Sequence, residues 1–136
     1  MSRRTAREIA MKMVYGRLFG GEDTYSEIHE ISGIEVPAAE EDERFACELV
    51  KGVEANMAEI DKLISDASSG WAVDRMPWVD LSILRIAVYE LAFEKKAPQK
   101  VVINEAVRIA TRFGGDDSPK FVNGVLGNIA RGLSAQ

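Results

Sequence analysis

The sequence predicts an all-α protein, a compact bundle of about seven helices. Apolar residues recur at helical spacing in almost every segment, and no segment alternates apolar and polar residues over the length of a strand. Capping residues and glycines mark where these periodic segments start and stop. A length of 136 residues suits one domain, and a hydrophobic content of 46% is enough for its core.

Four helices are predicted in the first half of the chain. The sequence "TARE" fits a capping box, with Thr5 as N-cap and Glu8 three positions later. A second capping box, "TYSE" (24–27), starts a short helix. The acidic run "AEEDE" (39–43) suits the start of a third helix, because carboxylates are stabilised at the positive end of the helix dipole. Asn56 is the predicted cap of the fourth helix.

Three further helices are predicted in the second half. The fifth, at about 77–93, is apolar nearly all round its axis, which is typical of the buried centre of a bundle. The sixth spans about 101–113 and has one apolar face. Ser118 is the expected N-cap of the seventh and Pro119 its first residue. Gly124 costs about 1 kcal/mol relative to Ala in a helix, and we interpret it as a close approach to a bulky neighbour such as the fifth helix.

The net charge of −5 conceals a strong segregation of sign. Residues 1–19 hold five basic side chains and one acidic one, which gives +4, and residues 95–136 also carry +4. The middle, 20–94, carries −13. An acidic protein is not an obvious nucleic-acid binder, but the local potential decides what a surface attracts. The two basic ends therefore keep nucleic-acid binding open.

The chain lacks the residue combinations of common enzymes. It has one histidine, His29, and one cysteine, Cys47, which excludes a zinc site built from several His and Cys ligands. No glycine-rich phosphate loop follows a strand, and His29 is interpreted as an exposed structural residue. We predict no catalysis, no metal and no cofactor. Because no long apolar run or secretory signal is visible, we expect a cytoplasmic protein that is not bound to a membrane.

Arginines gather at the N-terminus, where a helix does not favour them. Arg3 and Arg4 precede the predicted cap and Arg7 lies in the first turn. Positive charge there opposes the helix dipole by about 0.3–1 kcal/mol per residue. Locally unfavourable residues often serve a partner, and arginine suits contact with phosphates and stacking on unpaired bases. The alternative is a solvated tail.

A second polar group surrounds the start of the seventh helix. Arg108 and Arg112 are predicted on the outer face of the sixth helix, and Lys120 lies in the first turn of the seventh. The Asp117 carboxylate can accept a hydrogen bond from a base amino group. Phe121 fits either a stack on a base or the core, and the core is favoured on the residues alone. The same stretch has the outline of a helix-turn-helix, but its second helix offers few long polar side chains for a DNA groove.

Three specific motifs follow one another in the second half of the chain: "ILRIAVYEL" (83–91), "VVINEAVRIATRF" (101–113) and "DSPKFVNGVLGNIA" (117–130). In this order they resemble the NusB family of transcription antitermination factors. The segment "RRTAREIAMKMVY" (3–15) resembles the arginine-rich N-terminal helix of that family. The resemblance covers nearly the whole chain and is looser between about 20 and 75.

The resemblance implies a fold and a function. The fold would be two packed helical subdomains, at about 1–55 and 56–136. The function would be non-catalytic: the protein would bind the boxA element of single-stranded nascent RNA together with the ribosomal small-subunit protein NusE. The complex would join the elongating RNA polymerase with other Nus factors and support ribosomal RNA synthesis. The alternative is a helical adaptor that recruits NusE with little RNA binding of its own, and the choice between monomer and homodimer stays open.

Carried over residue by residue, the resemblance implies two groups of site residues. The expected RNA contacts are Arg3, Arg4, Arg7, Asp117, Lys120 and Phe121. The expected NusE-facing residues are Tyr15, Asp80 and Glu90, where acidic groups would complement a basic ribosomal protein. Thr5 stands where a further basic residue is common, which makes the arginine arm thinner, and Gly127 stands where an acid is common.

Overall fold

A computed structural model describes residues 3–34 and 37–135 and contains seven α-helices within those ranges. They are α1 (Arg3–Arg17), α2 (Tyr25–Ile31), α3 (Glu40–Ala55), α4 (Met57–Ala67), α5 (Trp78–Tyr89), α6 (Gln99–Phe113) and α7 (Ser118–Ser134). A 3₁₀ turn precedes α5 and a π-helical segment, Glu90–Glu94, extends it. The described ranges contain no strand, and the predicted all-α bundle is confirmed.

Helix α5 is the centre of the bundle. It packs against α1, α3, α4, α6 and α7, and every residue from 80 to 88 is buried. Full burial of a Leu or Ile side chain contributes about 1.5–3 kcal/mol each, so this helix holds the others together. The prediction from its apolar circumference is confirmed. No helix within the described ranges is both long and apolar enough to cross a membrane.

A close approach between two helices occurs at a glycine that the sequence did not single out. A Cβ added at Gly52 in α3 would overlap the ring of Tyr89 at the end of α5. The interpretation of Gly124 is wrong. Among the described residues, nothing lies within 4 Å of a Cβ added at Gly124, and the residue is exposed on α7.

Capping predictions succeeded where the partners are local. The box at the start of α2 is present: the Glu27 amide donates to Thr24 Oγ1 at 3.3 Å, and the Thr24 amide donates to Glu27 Oε1 at 2.9 Å. The box proposed for Thr5 and Glu8 is wrong, because α1 already includes Arg3 and Thr5 lies inside it. The Glu8 carboxylate instead binds arginines of α6.

The starts of α4 and α7 differ from prediction in detail. Asn56 occupies the cap position of α4, but its side-chain amide donates backwards to the Gly52 carbonyl at 2.8 Å. Asp117, not Ser118, occupies the cap position of α7. Ser118 is the first helical residue, and its hydroxyl donates to Oδ1 of Asp80 at 2.6 Å. In both cases the side chain donates to an oxygen outside the first turn of its helix.

Candidate nucleic-acid interface

Arg3, the first residue of α1, packs against α3. Arg3 is exposed, and its Nη1 donates to the Glu41 carbonyl at 3.4 Å. Its guanidinium carbon lies 4.3 Å from the centroid of the Phe45 ring, a cation–π distance. The guanidinium is thus positioned by α3 while its outer face stays in solvent.

Arg4 points towards α6. Its Nε and Nη2 donate to the two oxygens of Glu105 at 3.3 and 3.2 Å. The Arg4 side chain is 61% exposed, whereas that of Glu105 is 12% exposed. Arg4 therefore offers most of its surface to a ligand, although its charge is partly matched by the carboxylate.

Arg7 is not a surface residue, contrary to expectation. It forms a buried, bidentate ion pair with Glu90, with both N–O distances at 2.8 Å. Burial opposes the charged guanidinium, but the hydrogen bonds and negative charge of Glu90 outweigh that effect and raise the pKa of Arg7. The pair fixes α1 on the end of α5. Because neither side chain is accessible, both residues hold the fold, and a direct contact with RNA or a partner would require the pair to open.

Glu8 connects α1 to the other predicted basic group. Its carboxylate accepts from Nη1 of Arg108 at 2.7 Å and from Nη1 of Arg112 at 3.0 Å. Arg108 Nε also donates to Glu105 at 3.4 Å. The two α6 arginines are therefore not free cations on an outer face. They form an alternating row with acids, which we call the α1–α6 ladder: Arg4, Glu105, Arg108, Glu8 and Arg112.

The ladder leads to the predicted corner at the start of α7. The Arg112 guanidinium carbon lies 5.1 Å from the Phe113 ring centroid. Phe113 and the half-buried Phe121 both line a groove of about 550 Å³. Asp117 stands at its edge and Lys120 follows in the first turn of α7, both exposed. A series of contacts thus joins Arg4 to Phe113, and Phe113 shares the groove with Phe121.

The groove is largely apolar, and Asp80 lies beneath it. Its other aromatic wall is Trp71, which is exposed. Asp80 is buried, and burial raises the pKa of its carboxyl group although the hydrogen bond from Ser118 opposes that rise. The Ser118 hydroxyl also accepts from the Gly115 amide at 2.9 Å. Asp80 therefore anchors the loop before α7, and it is not an exposed partner-facing acid as expected.

Tyr15, the third expected partner-facing residue, belongs to an aromatic cluster. Its ring packs edge-on against Phe19 at 5.1 Å, and Phe19 packs edge-on against Trp78 at 4.6 Å between centroids. Phe19 is 62% exposed and Trp78 is 44% exposed. We call these three residues the aromatic ridge. Single exposed aromatics are common, but a contiguous group suggests a protein contact.

Sequence reasoning missed several residues of this surface. Glu8 was assigned to a cap and Glu105 was not assigned to this surface, because Arg4 and Arg108, the partners concerned, lie about 100 residues away in the sequence. Three further residues were missed because each lies beside a glycine or a proline, where helical periodicity does not predict which side of a helix is buried: Phe19, Trp71 and Trp78. Large aromatic residues beside such helix breaks could have indicated this surface. In the described ranges, no group of three or more His, Cys, Asp and Glu side chains is arranged to hold a metal ion.

Comparison with known proteins decides the family. The model of the NusB family matches residues 4–131, nearly the whole chain. This chain belongs to the NusB family. The transcription antitermination protein NusB of Geobacter sulfurreducens is 42% identical over 132 residues, covering 97% of this chain and 96% of that protein. The same protein of Geotalea uraniireducens is 44% identical over 136 residues, covering 95% and 94%. The predicted family and its non-catalytic class, transcription antitermination, are confirmed.

Solved structures share the fold. NusB of T. maritima superimposes with a TM-score of 0.82 at 36% identity and covers 96% of this chain and 92% of that one. A structure of the antitermination factors NusB and NusE in complex with dsRNA gives a TM-score of 0.81 at 27% identity, with 96% of each chain covered. The helical arrangement around α5 is therefore the fold of the family.

Proposed function

We propose that this chain is an RNA-binding transcription antitermination factor that binds boxA RNA together with NusE. In this proposal it acts in the cytoplasm and joins the elongating RNA polymerase with other Nus factors, in support of ribosomal RNA transcription. The observation that carries the proposal is the surface that runs from Arg4 along the α1–α6 ladder to Phe113 and the groove that Phe121 also lines. The likeness to a NusB–NusE complex with RNA supports it.

The surface divides the work of RNA binding by chemistry. Arg3, Arg4 and Lys120 are exposed cations that would contact phosphates, which supply most of the affinity. The Asp117 carboxylate would accept from a base amino group, and Phe121 would stack on an unpaired base at the groove. Arg7 contributes by fixing α1 through Glu90.

The aromatic ridge is the proposed contact with NusE. Tyr15 is its only member among the residues expected from the sequence to face a partner, and Phe19 and Trp78 extend it. Partly exposed aromatic residues are enriched at the centres of protein interfaces. Asp80 and Glu90 would act from beneath, through the loop before α7 and through Arg7.

The test is the fluorescence anisotropy of a labelled boxA RNA and of a scrambled RNA, with this protein alone and with NusE. We expect a preference for boxA that tightens when NusE is present. Contact with three to five phosphates predicts a log–log salt slope of roughly −2 to −3.5 for single-stranded RNA. Equal and weak binding to both RNAs in both conditions would reject the proposal. It would favour the adaptor that recruits NusE through the aromatic ridge.

A further inference from the structure

The two carboxylates of the α1–α6 ladder differ in burial and in the lengths of their contacts. Glu8, with a side chain 6% exposed, accepts from Arg108 at 2.7 Å and from Arg112 at 3.0 Å. Glu105 accepts from Arg4 at 3.2–3.3 Å and from Arg108 at 3.4 Å, and Arg4 is largely in solvent. The Glu8 contacts are shorter and more buried than those of Glu105.

This difference decides which contact gives way to a ligand. Separating Arg4 from Glu105 costs little, because the Arg4 guanidinium is largely in solvent and Glu105, although only 12% exposed, keeps Arg108 as a cation. The Glu8 carboxylate is more deeply buried and its contacts are shorter, so they cost more to break. The pair of Arg4 and Glu105 is therefore the place where the ladder opens.

An RNA phosphate has the same chemistry as the group that it would replace. Both phosphate and carboxylate present two oxygens that accept paired hydrogen bonds from one guanidinium. The Nε and Nη2 groups that Arg4 would offer to a phosphate are those that now bind Glu105. Phosphate and Glu105 thus compete for the same donors.

We propose that Glu105 is an internal competitor for RNA phosphate, and that RNA binds the α1–α6 ladder by displacing this carboxylate from Arg4. The inference rests on the proposed function. After displacement Glu105 still contacts Arg108, and its charge stays close to the incoming phosphate. Glu105 therefore weakens RNA binding, because a phosphate must be placed well enough at Arg4 to displace this carboxylate.

Glu105 also holds the Arg4 guanidinium in place, and this positioning would strengthen RNA binding. That benefit is small, because a single-stranded RNA can adapt its backbone to the position of one exposed guanidinium. The charge effect is larger, since three arginines of the ladder share two carboxylates and removal of one negative charge raises the local potential around all of them.

The test is the substitution Glu105→Gln, which keeps an oxygen acceptor and removes the charge. We expect boxA RNA to bind about three- to ten-fold more tightly at low salt, with a salt slope steeper by up to about 0.7, the contribution of one added phosphate contact. The matched control is Glu59→Gln, the same change of net charge at an exposed residue of α4, a helix that packs on α5 and α7. The control should change the affinity less than twofold.

A double-mutant cycle makes the test independent of any loss of stability. Arg4→Ala should weaken boxA binding more in the Glu105→Gln background than in the wild type, because no carboxylate then competes for Arg4. All titrations are made well below each variant's melting temperature. If the wild type prefers boxA but Glu105→Gln binds no more tightly, or the two changes are additive, the inference is wrong. If neither protein prefers boxA over scrambled RNA, either alone or with NusE, the proposed function itself fails.

Discussion

The roles of Arg4 and Arg7 depend on the carboxylate beside each of them. Arg4 and Arg7 lie one turn apart on α1, yet Arg4 is exposed beside Glu105 and Arg7 is buried against Glu90. The sequence identified both as candidate RNA contacts, because local spacing shows the charge and not its distant partner. Only the fold, which brings position 90 next to position 7, separates a binding residue from a structural one.

Arg7→Ala should lower the free energy of unfolding by about 3–5 kcal/mol, because it leaves the buried Glu90 carboxylate without a cation. The measurement is urea denaturation followed by circular dichroism. Arg4→Ala is the matched control. Because the Arg4 side chain is largely in solvent, loss of its ion pair with Glu105 should change the free energy of unfolding by about 0–1 kcal/mol. A stable Arg7→Ala protein that no longer binds RNA would instead make Arg7 a direct contact.

Asp80 gives a pH dependence of predictable sign. Burial raises the pKa of Asp80 in the folded protein, so the folded state binds its proton more readily than the unfolded state. The contribution of Asp80 to stability is therefore greatest at low pH and declines as the pH rises through its unfolded and then its folded pKa. Asp80→Asn, which keeps an acceptor for Ser118, should stabilise the protein more at pH 7 than at pH 4.

Thermal melts of both proteins across pH 4–7 measure this difference. Asp74→Asn, at an exposed carboxylate of the 3₁₀ turn before α5, is the control and should show no comparable change with pH. A difference between wild type and Asp80→Asn that grows as the pH falls would contradict the expected sign.

At the scale of helices, predictions succeeded where the deciding interactions are local. The box of Thr24 and Glu27 closes within four residues, and the apolar circumference of α5 follows from its own sequence. The start of α7 was displaced by one residue because the Ser118 hydroxyl binds Asp80 on α5. The π-helical segment after α5 was not predicted, because α5 is apolar nearly all round and an extra residue in a turn changes no distinct apolar face there.

Glycines in α3 and α7 should respond oppositely to alanine. Gly52→Ala should destabilise the protein by about 1–3 kcal/mol, because the new methyl group would overlap the Tyr89 ring and force α3 away from α5. Gly124→Ala should stabilise it by up to about 1 kcal/mol, since the site is open and alanine favours the helix. Urea denaturation measures both. Equal effects at the two positions would mean that helix propensity, and not packing, governs Gly52.

At the scale of the whole molecule, the fold brings the two basic ends of the chain together. Residues 1–19 and 95–136 each carry +4, and α1 contacts α6 through the ladder. Their segregation from the acidic middle could be predicted from the sequence, but the interleaving of Glu8 and Glu105 among the arginines could not. The positive charge of the proposed RNA surface is therefore partly neutralised by these two carboxylates. The aromatic ridge lies at the other end of α1.

This separation predicts that the two proposed contacts can be lost independently. Phe19→Ala removes the most exposed ring of the aromatic ridge and should weaken NusE binding by about ten-fold, the effect of a moderate interface hot spot. Binding of boxA RNA without NusE should not change. Isothermal titration with NusE and anisotropy with boxA RNA measure the two quantities separately.

Lys120→Ala is the complementary variant, because this exposed residue lies at the corner of α7 and not at the ridge. It should weaken RNA binding and make the salt slope shallower by about 0.7, while NusE affinity stays at the wild-type value. With NusE present, Phe19→Ala should then lose the tightening of boxA binding but keep the salt slope, whereas Lys120→Ala should keep the tightening. If Phe19→Ala leaves NusE binding intact, the ridge is not the partner surface. If each variant loses both NusE binding and boxA RNA binding, the two proposed contacts are not separate surfaces.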